Sequence, residues 1–148
     1  MSWISSKLPW KKSKDVVRVV RLAGTIMSRP GRSTSSGRYL NLRSIEKVLD
    51  RAFDDKKVKP KAVCLEVNST GGSATQSNLI YSRIRSLAND KSIPVLSFTE
   101  DYACSGGYWL AVAGDEIYMD PNSIVGSIGA LIYSFGLVEA IKKLGECS

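Results

Sequence analysis

The chain of 148 residues contains no histidine. That absence excludes a serine, histidine and aspartate triad within the chain, and it removes a common zinc ligand. Cysteine is scarce. Cys64, Cys104 and Cys147 are odd in number and form no C-x-x-C pair, so neither a disulfide framework nor a metal site is expected. A reducing compartment fits that usage. Long apolar runs are missing too: none approaches the roughly 18 uncharged residues of a spanning helix, and no basic, apolar and small-residue series marks a secretory signal. Acidic residues are outnumbered, 14 against 21 lysines and arginines, for a net charge of +7. Much of that excess sits at the start, where residues 1–14 hold Lys7, Lys11, Lys12 and Lys14 and no acid.

This basic tail, residues 1–15, also carries Trp3, Ile4, Leu8 and Trp10. It reads as a solvated leader, as a segment suited to an anionic membrane surface, or as part of an organellar presequence. Nucleic-acid binding is not expected, because the basic pI comes without a recognition motif. From residue 16 onward the 43% hydrophobic content of the chain is enough for one buried core.

Strand and helix patterns then alternate. "VVRVVRLAG" (16–24) is β-branched and closed by Gly24, and a polar Gly/Ser-rich loop follows at 28–38. Asn41 is a candidate N-cap, and Leu42, Ile45, Val48, Leu49, Ala52 and Phe53 recur at helical spacing. "AVCLEV" (62–67) is a nearly continuous apolar run, expected of a strand covered on both faces, with Cys64 as a small core residue. A helix containing Leu79, Ile80, Ile84 and Leu87 precedes a third strand at 93–98. After Ser105 come a further helix, a fourth strand over "DEIYMD", the apolar "SIVGSIGALIYSF" and a final helical turn or two in "GLVEAIKKLG". The alternation predicts an α/β domain with a mainly parallel sheet, whose ligands sit beyond the carboxyl ends of the strands. Gly71-Gly72 and Gly106-Gly107 fall at two such strand-to-helix junctions.

Ser105 lies between Cys104 and Gly106, where an apolar helical pattern begins. A hydroxyl at the first turn of a helix is near unpaired amides that stabilise developing negative charge. Gly106 lets its own amide approach a substrate carbonyl, and Gly71 and Gly72 can supply a second one. The same position suits a serine that merely caps the helix. Position alone leaves both roles open. With no histidine, the base for a nucleophilic Ser105 would have to be a lysine made neutral by burial. The lysines of the tail, those at 56–61, Lys91, Lys142 and Lys143 all read as solvated charges. Cys104 has no visible charge partner and reads as a packed neighbour.

Taken in order, "VVRVVRLAGTI", "LEVNSTGGSATQS", "ACSGGYWLAVAGDEIYMDPNSIVGSIGALI" and "LVEAIKKLG" resemble the signal peptide peptidase A family, the S49 serine peptidases, over residues 16–145. The short SohB-like members are the most similar. The resemblance implies a ClpP/crotonase-type stack of βα units, assembled into a homo-oligomeric ring, that cleaves peptides such as signal-peptide remnants or membrane-derived segments. No cofactor and no metal are implied. It places the nucleophile on Ser105, the oxyanion amides on Gly72 and Gly106, the peptide groove along Gly71 and Gly107, and the serine that orients a catalytic lysine on Ser127. Ser127 also reads as a buried strand serine bonded to the backbone. The lysine itself is expected beyond Ser148, outside this sequence. An inactive scaffold of the same fold is the alternative, and the serine of "ACSGG" argues against crotonase-type acyl-CoA chemistry.

Overall fold

The computed structural model describes residues 15–28, 39–54 and 58–129. The basic tail, most of the 28–38 loop, Lys142 and Lys143, Cys147 and the expected last helix lie outside these residues.

Strand β1 (Val17–Ala23) runs through Gly24 into the short β2 (Thr25–Ile26), which pairs with β3 (Tyr39–Leu40). Helix α1 (Leu42–Phe53) starts where expected, because Asn41 accepts from the Ser44 N–H at 2.9 Å while the Asn41 N–H donates to Ser44 Oγ at 3.2 Å. This reciprocal cap satisfies two backbone donors that the first turn cannot pair internally. Then follow β4 (Ala62–Ser69), α2 (Ala74–Lys91), β5 (Val95–Cys104), α3 (Gly106–Ala111), β6 (Glu116–Met119) and β7 (Ile124–Gly126).

The main sheet is parallel throughout, in the order β1-β4-β5-β6, with β7 also paired to β5. The third strand is therefore longer than the expected 93–98. Residues Leu96–Thr99 of β5 pair with β6 and Tyr102–Cys104 pair with β7, so one strand lines up two neighbours along the same edge. A register shift between Val67 and Ser69 of β4 accommodates the change. The very short β2 and β3 leave too little periodicity for a sequence pattern to show them.

The core lies on one face of the sheet. Val63, Leu65 and Val67 of β4 point into it and meet Ile45, Leu49 and Phe53 of α1 and Ile80 and Ile84 of α2. The alternate residues of β4 are only half-buried, so among the described residues this strand is covered on one face, not two. Cys64 is accordingly not a core residue: it stands half-buried on the outer face, where partial burial raises its thiol pKa. The apolar run misled because Cys64 and Ala62 are small enough to be tolerated on a partly exposed face. Arg21, on the same face, bridges Glu66 and Glu100 at 3.1 Å each. The hydrogen bond between those two carboxyl groups holds Glu66 above and Glu100 below the ordinary carboxylate range.

One ionised side chain locks β5 to the loop before β6. Asp115 accepts from the Val95 N–H at 2.8 Å and from Arg85 at 2.8 Å, and the first of these bonds leads in holding its carboxyl below the usual aspartate range. Asp115→Ala is expected to destabilise by about 1–2 kcal/mol, because the N–H of the fully buried Val95 loses its acceptor. A carboxyl with a depressed native pKa stabilises fully above its unfolded value of about 3.9, and that contribution is lost as pH falls through the lower native value. Urea midpoints measured at pH 6 and below pH 3 should therefore differ more for the wild type than for Asp115→Ala.

Candidate active site

Because the strands are parallel, the carboxyl ends of β4 and β5 lie at the same edge of the sheet. From β4 the chain passes through Gly71 and Gly72 into α2; from β5 it passes through Ser105 into α3. Ser105 has φ 51° and ψ −117°, a backbone conformation that costs a non-glycine residue about 1–3 kcal/mol. Such strain persists only where surrounding contacts enforce it. Here the Ser105 N–H donates to Gly126 O at 2.8 Å, tying the turn to the end of β7, and its carbonyl accepts from the Trp109 N–H at 3.2 Å.

The hydroxyl does not act as a cap. Ser105 occupies the cap position of α3, yet its side chain makes no capping hydrogen bond and has no partner among the described residues. It faces a pocket of about 380 Å³ that Gly72, Ser105 and Gly106 line together.

Two backbone N–H groups open onto the same pocket, and their directions follow from peptide planarity. The Gly71 carbonyl accepts from the Ile26 N–H at 2.9 Å. Since the peptide is trans, the Gly72 N–H must point the opposite way, away from β2. The Ser105 carbonyl is drawn into α3 by Trp109, so the Gly106 N–H likewise points out of the helix start. Neither N–H has a protein partner among the described residues. The two loops touch: a Cβ on Gly71 would stand 2.8 Å from Gly106 N. The arrangement is two convergent donors beside an unpaired hydroxyl, as an oxyanion site requires.

Gly71 and Gly107 are both buried and lie behind the pocket surface. Their place is close packing: a Cβ on Gly107 would meet Ser69 O at 2.3 Å. Ser127 follows β7 directly, is exposed and has φ 54°, so it is not the buried strand serine that the sequence also allowed. Its neighbours Ile128 and Gly129 line the pocket. Among the described residues the lysines are Lys47, Lys59, Lys61 and Lys91, and none lines it. No group of histidine, cysteine, aspartate or glutamate suited to a metal ion occurs among the described residues.

The rest of the wall is apolar, formed by Ala74, Tyr108, Trp109, Val112 and Ile128. These residues carry a helical periodicity that reads equally well as core. Their signal was in the excess: Tyr108, Trp109, Leu110, Ala111 and Val112 are five consecutive apolar or aromatic residues, more than one buried face of a six-residue helix can absorb.

Residues 87–145 match the model of peptidase family S49. The chain is 33% identical over 133 residues to the chloroplastic serine protease SPPA of Arabidopsis thaliana, covering 89% of this chain and 19% of that protein. It is 36% identical over 129 residues to Protease 4 of Haemophilus influenzae, covering 87% and 20% respectively. A match of 50% identity over 129 residues is to the Na(+)/H(+) antiporter NhaA of Brucella melitensis, covering 87% of this chain and 17% of that protein. Among the described residues no helix is long and apolar enough to cross a membrane. Among solved structures, a mutant of the 1510-N membrane-bound stomatin-specific protease superposes with a TM-score of 0.61 at 22% identity, covering 83% of this chain and 53% of that one.

Fold and site together define a domain of ClpP-like α/β architecture in which an unpaired serine hydroxyl and two backbone N–H groups share one pocket. The chain spans about a fifth or less of the length of these three curated relatives. It belongs to peptidase family S49, the signal peptide peptidase A family.

Proposed function

We propose that the domain hydrolyses peptide bonds with Ser105 as the nucleophile. The observation that carries this reading is the uncapped Ser105 hydroxyl, held in a strained turn beside the free N–H groups of Gly72 and Gly106. In the reaction Oγ bonds to the substrate carbonyl carbon and its proton passes to a base. The carbonyl oxygen becomes an oxyanion held by the two N–H groups. Collapse breaks the C–N bond, the leaving amine takes the proton, and water then hydrolyses the ester.

The base in this proposal is a lysine outside the described residues, kept neutral by burial when the groove is closed around it. Ser127 is the residue that steers it. Its support is position: it follows Gly126, whose carbonyl accepts from the Ser105 N–H. The substrates are extended peptides with an apolar side chain at the cleavage point, the chemistry of signal-peptide remnants and membrane-derived segments. The apolar wall of the pocket supports that choice. Exposed Val19 and Ile124, at 63% and 58% exposure, are in keeping with contacts to further copies in a ring.

A fluorophosphonate probe tests the nucleophile: it should label the wild type and leave Ser105→Ala unlabelled. Labelling that survives in Ser105→Ala would remove Ser105 from this role. The substrate class is tested at Trp109, which is 38% exposed in the pocket wall. Trp109→Ala is expected to raise KM about tenfold for peptides with leucine or phenylalanine at the cleavage point, since about 1.4 kcal/mol of apolar contact is lost. KM for peptides with a polar residue there should stay within about twofold on the same affinity scale. Equal changes for both peptide sets would show that the pocket does not bind that side chain.

A further inference from the structure

A second serine lies directly beneath the site. Ser69 ends β4, is 2% exposed, and uses its hydroxyl in two directions. It donates to Gly24 O at 2.6 Å and accepts from the Gly71 N–H at 3.1 Å. Its backbone touches the third segment of the site, for Gly107 of α3 rests so close to Ser69 O that no Cβ would fit. One buried side chain thus joins the turn between β1 and β2 to the glycine loop, on the spot where the helix of the nucleophile packs.

We propose that Ser69 is a positioning residue for the oxyanion site. This inference rests on the peptidase reading and names what sets its geometry. The Gly71-Gly72 peptide directs the Gly72 N–H into the pocket only while it keeps one orientation. Ile26 fixes it from the carbonyl side, and Ser69 fixes the preceding peptide through the Gly71 N–H. A glycine pair has unusually free backbone rotation, so a loop of this kind does not hold one orientation unaided. Without the Ser69 hydroxyl, the buried Gly71 N–H and the half-buried Gly24 carbonyl lose their partners, and the loop turns to pair them elsewhere. The donor at Gly72 then no longer meets the oxyanion. Ser69 touches no substrate. Its effect falls on the transition state, whose charge the donor stabilises, and not on ground-state binding.

The test compares wild type, Ser105→Ala and Ser69→Ala in the intact protein, by cleavage of a leucine-containing peptide and by the rate of fluorophosphonate labelling. In Ser69→Ala, kcat and the labelling rate should fall together by about 10- to 100-fold, short of the full loss of a donor, while KM moves less than about threefold. Should Ser69→Ala fail to fold, Ser69→Cys takes its place, since a thiol of similar shape bonds weakly and should give a smaller loss of the same pattern. If kcat and labelling stay within twofold of wild type in the folded variant, or if KM rises in proportion while labelling is unchanged, the positioning role is overturned and the peptidase reading stands. If the wild type neither labels nor cleaves, the peptidase reading falls, and this inference with it.

Discussion

Ser105→Ala should lose peptide cleavage by at least about 10³-fold and lose fluorophosphonate labelling altogether, with little change in stability. The stability half of this expectation is the more diagnostic. A buried or capping hydroxyl that is deleted leaves a partner unpaired and costs about 1 kcal/mol or more. The Ser105 hydroxyl has no partner among the described residues, so its loss should alter the unfolding free energy by no more than about 0.5 kcal/mol. Alanine keeps the Cβ, so the positive φ of 51° remains equally strained. Ser105→Gly relieves that strain and should be as inactive as Ser105→Ala yet more stable, by up to about 1 kcal/mol after glycine's extra unfolded-state entropy is subtracted. A residue whose removal abolishes activity while its replacement by glycine stabilises the fold is one held in place for chemistry. Cleavage within tenfold of wild type in Ser105→Ala would assign the nucleophile elsewhere, and a large loss of stability would restore Ser105 to a capping role.

The parts of this site that the sequence made legible are those whose chemistry is local. Gly72, Ser105 and Gly106 sit at strand-to-helix junctions, and a junction needs only the period change on either side to be seen. The cap of α1 at Asn41 was legible for the same reason, since it involves residues three apart. What sequence could not display is pairing across long separations. Ser69 bonds to Gly24, 45 positions away, and Arg85 reaches Asp115, 30 positions away. Nothing in "EVNSTGG" marks its serine over its neighbours. The same limit explains β4. Its apolar run predicts burial on both faces, whereas the face a strand presents to helices depends on where the crossovers pass. Gly71 and Gly107 were legible as unusual positions but not as buried ones, for a glycine can face a ligand or a neighbouring backbone with equal ease.

Gly72→Ala carries the second large effect, and it separates the two demands made on the glycine loop. Gly72 has φ +140°, a region that side chains rarely adopt, and a Cβ there would stand 2.2 Å from Ile26 O and 3.0 Å from Ile26 C. That carbonyl accepts from the Ser73 N–H at 2.7 Å, so neither side of the contact can retreat without losing a hydrogen bond. Alanine must therefore push β2 away or turn the peptide over. Strain and overpacking together should cost about 2–4 kcal/mol, and displacement of the Gly72 N–H should lower kcat/KM by about 10²- to 10³-fold. Gly129→Ala supplies the contrast. It also has a positive φ, of 151°, but among the described residues its Cβ would meet nothing within 4 Å, so the backbone strain is the cost to expect, about 1 kcal/mol or slightly more. If positive φ alone governed the loop, the two variants would lose stability equally and both would keep labelling by fluorophosphonate. If the contact with Ile26 sets the direction of the Gly72 donor, only Gly72→Ala loses labelling, and it does so even at temperatures where circular dichroism shows it still folded. Activity lost in step with the unfolded fraction alone would show that Gly72 is there for packing and that the oxyanion is held by other donors.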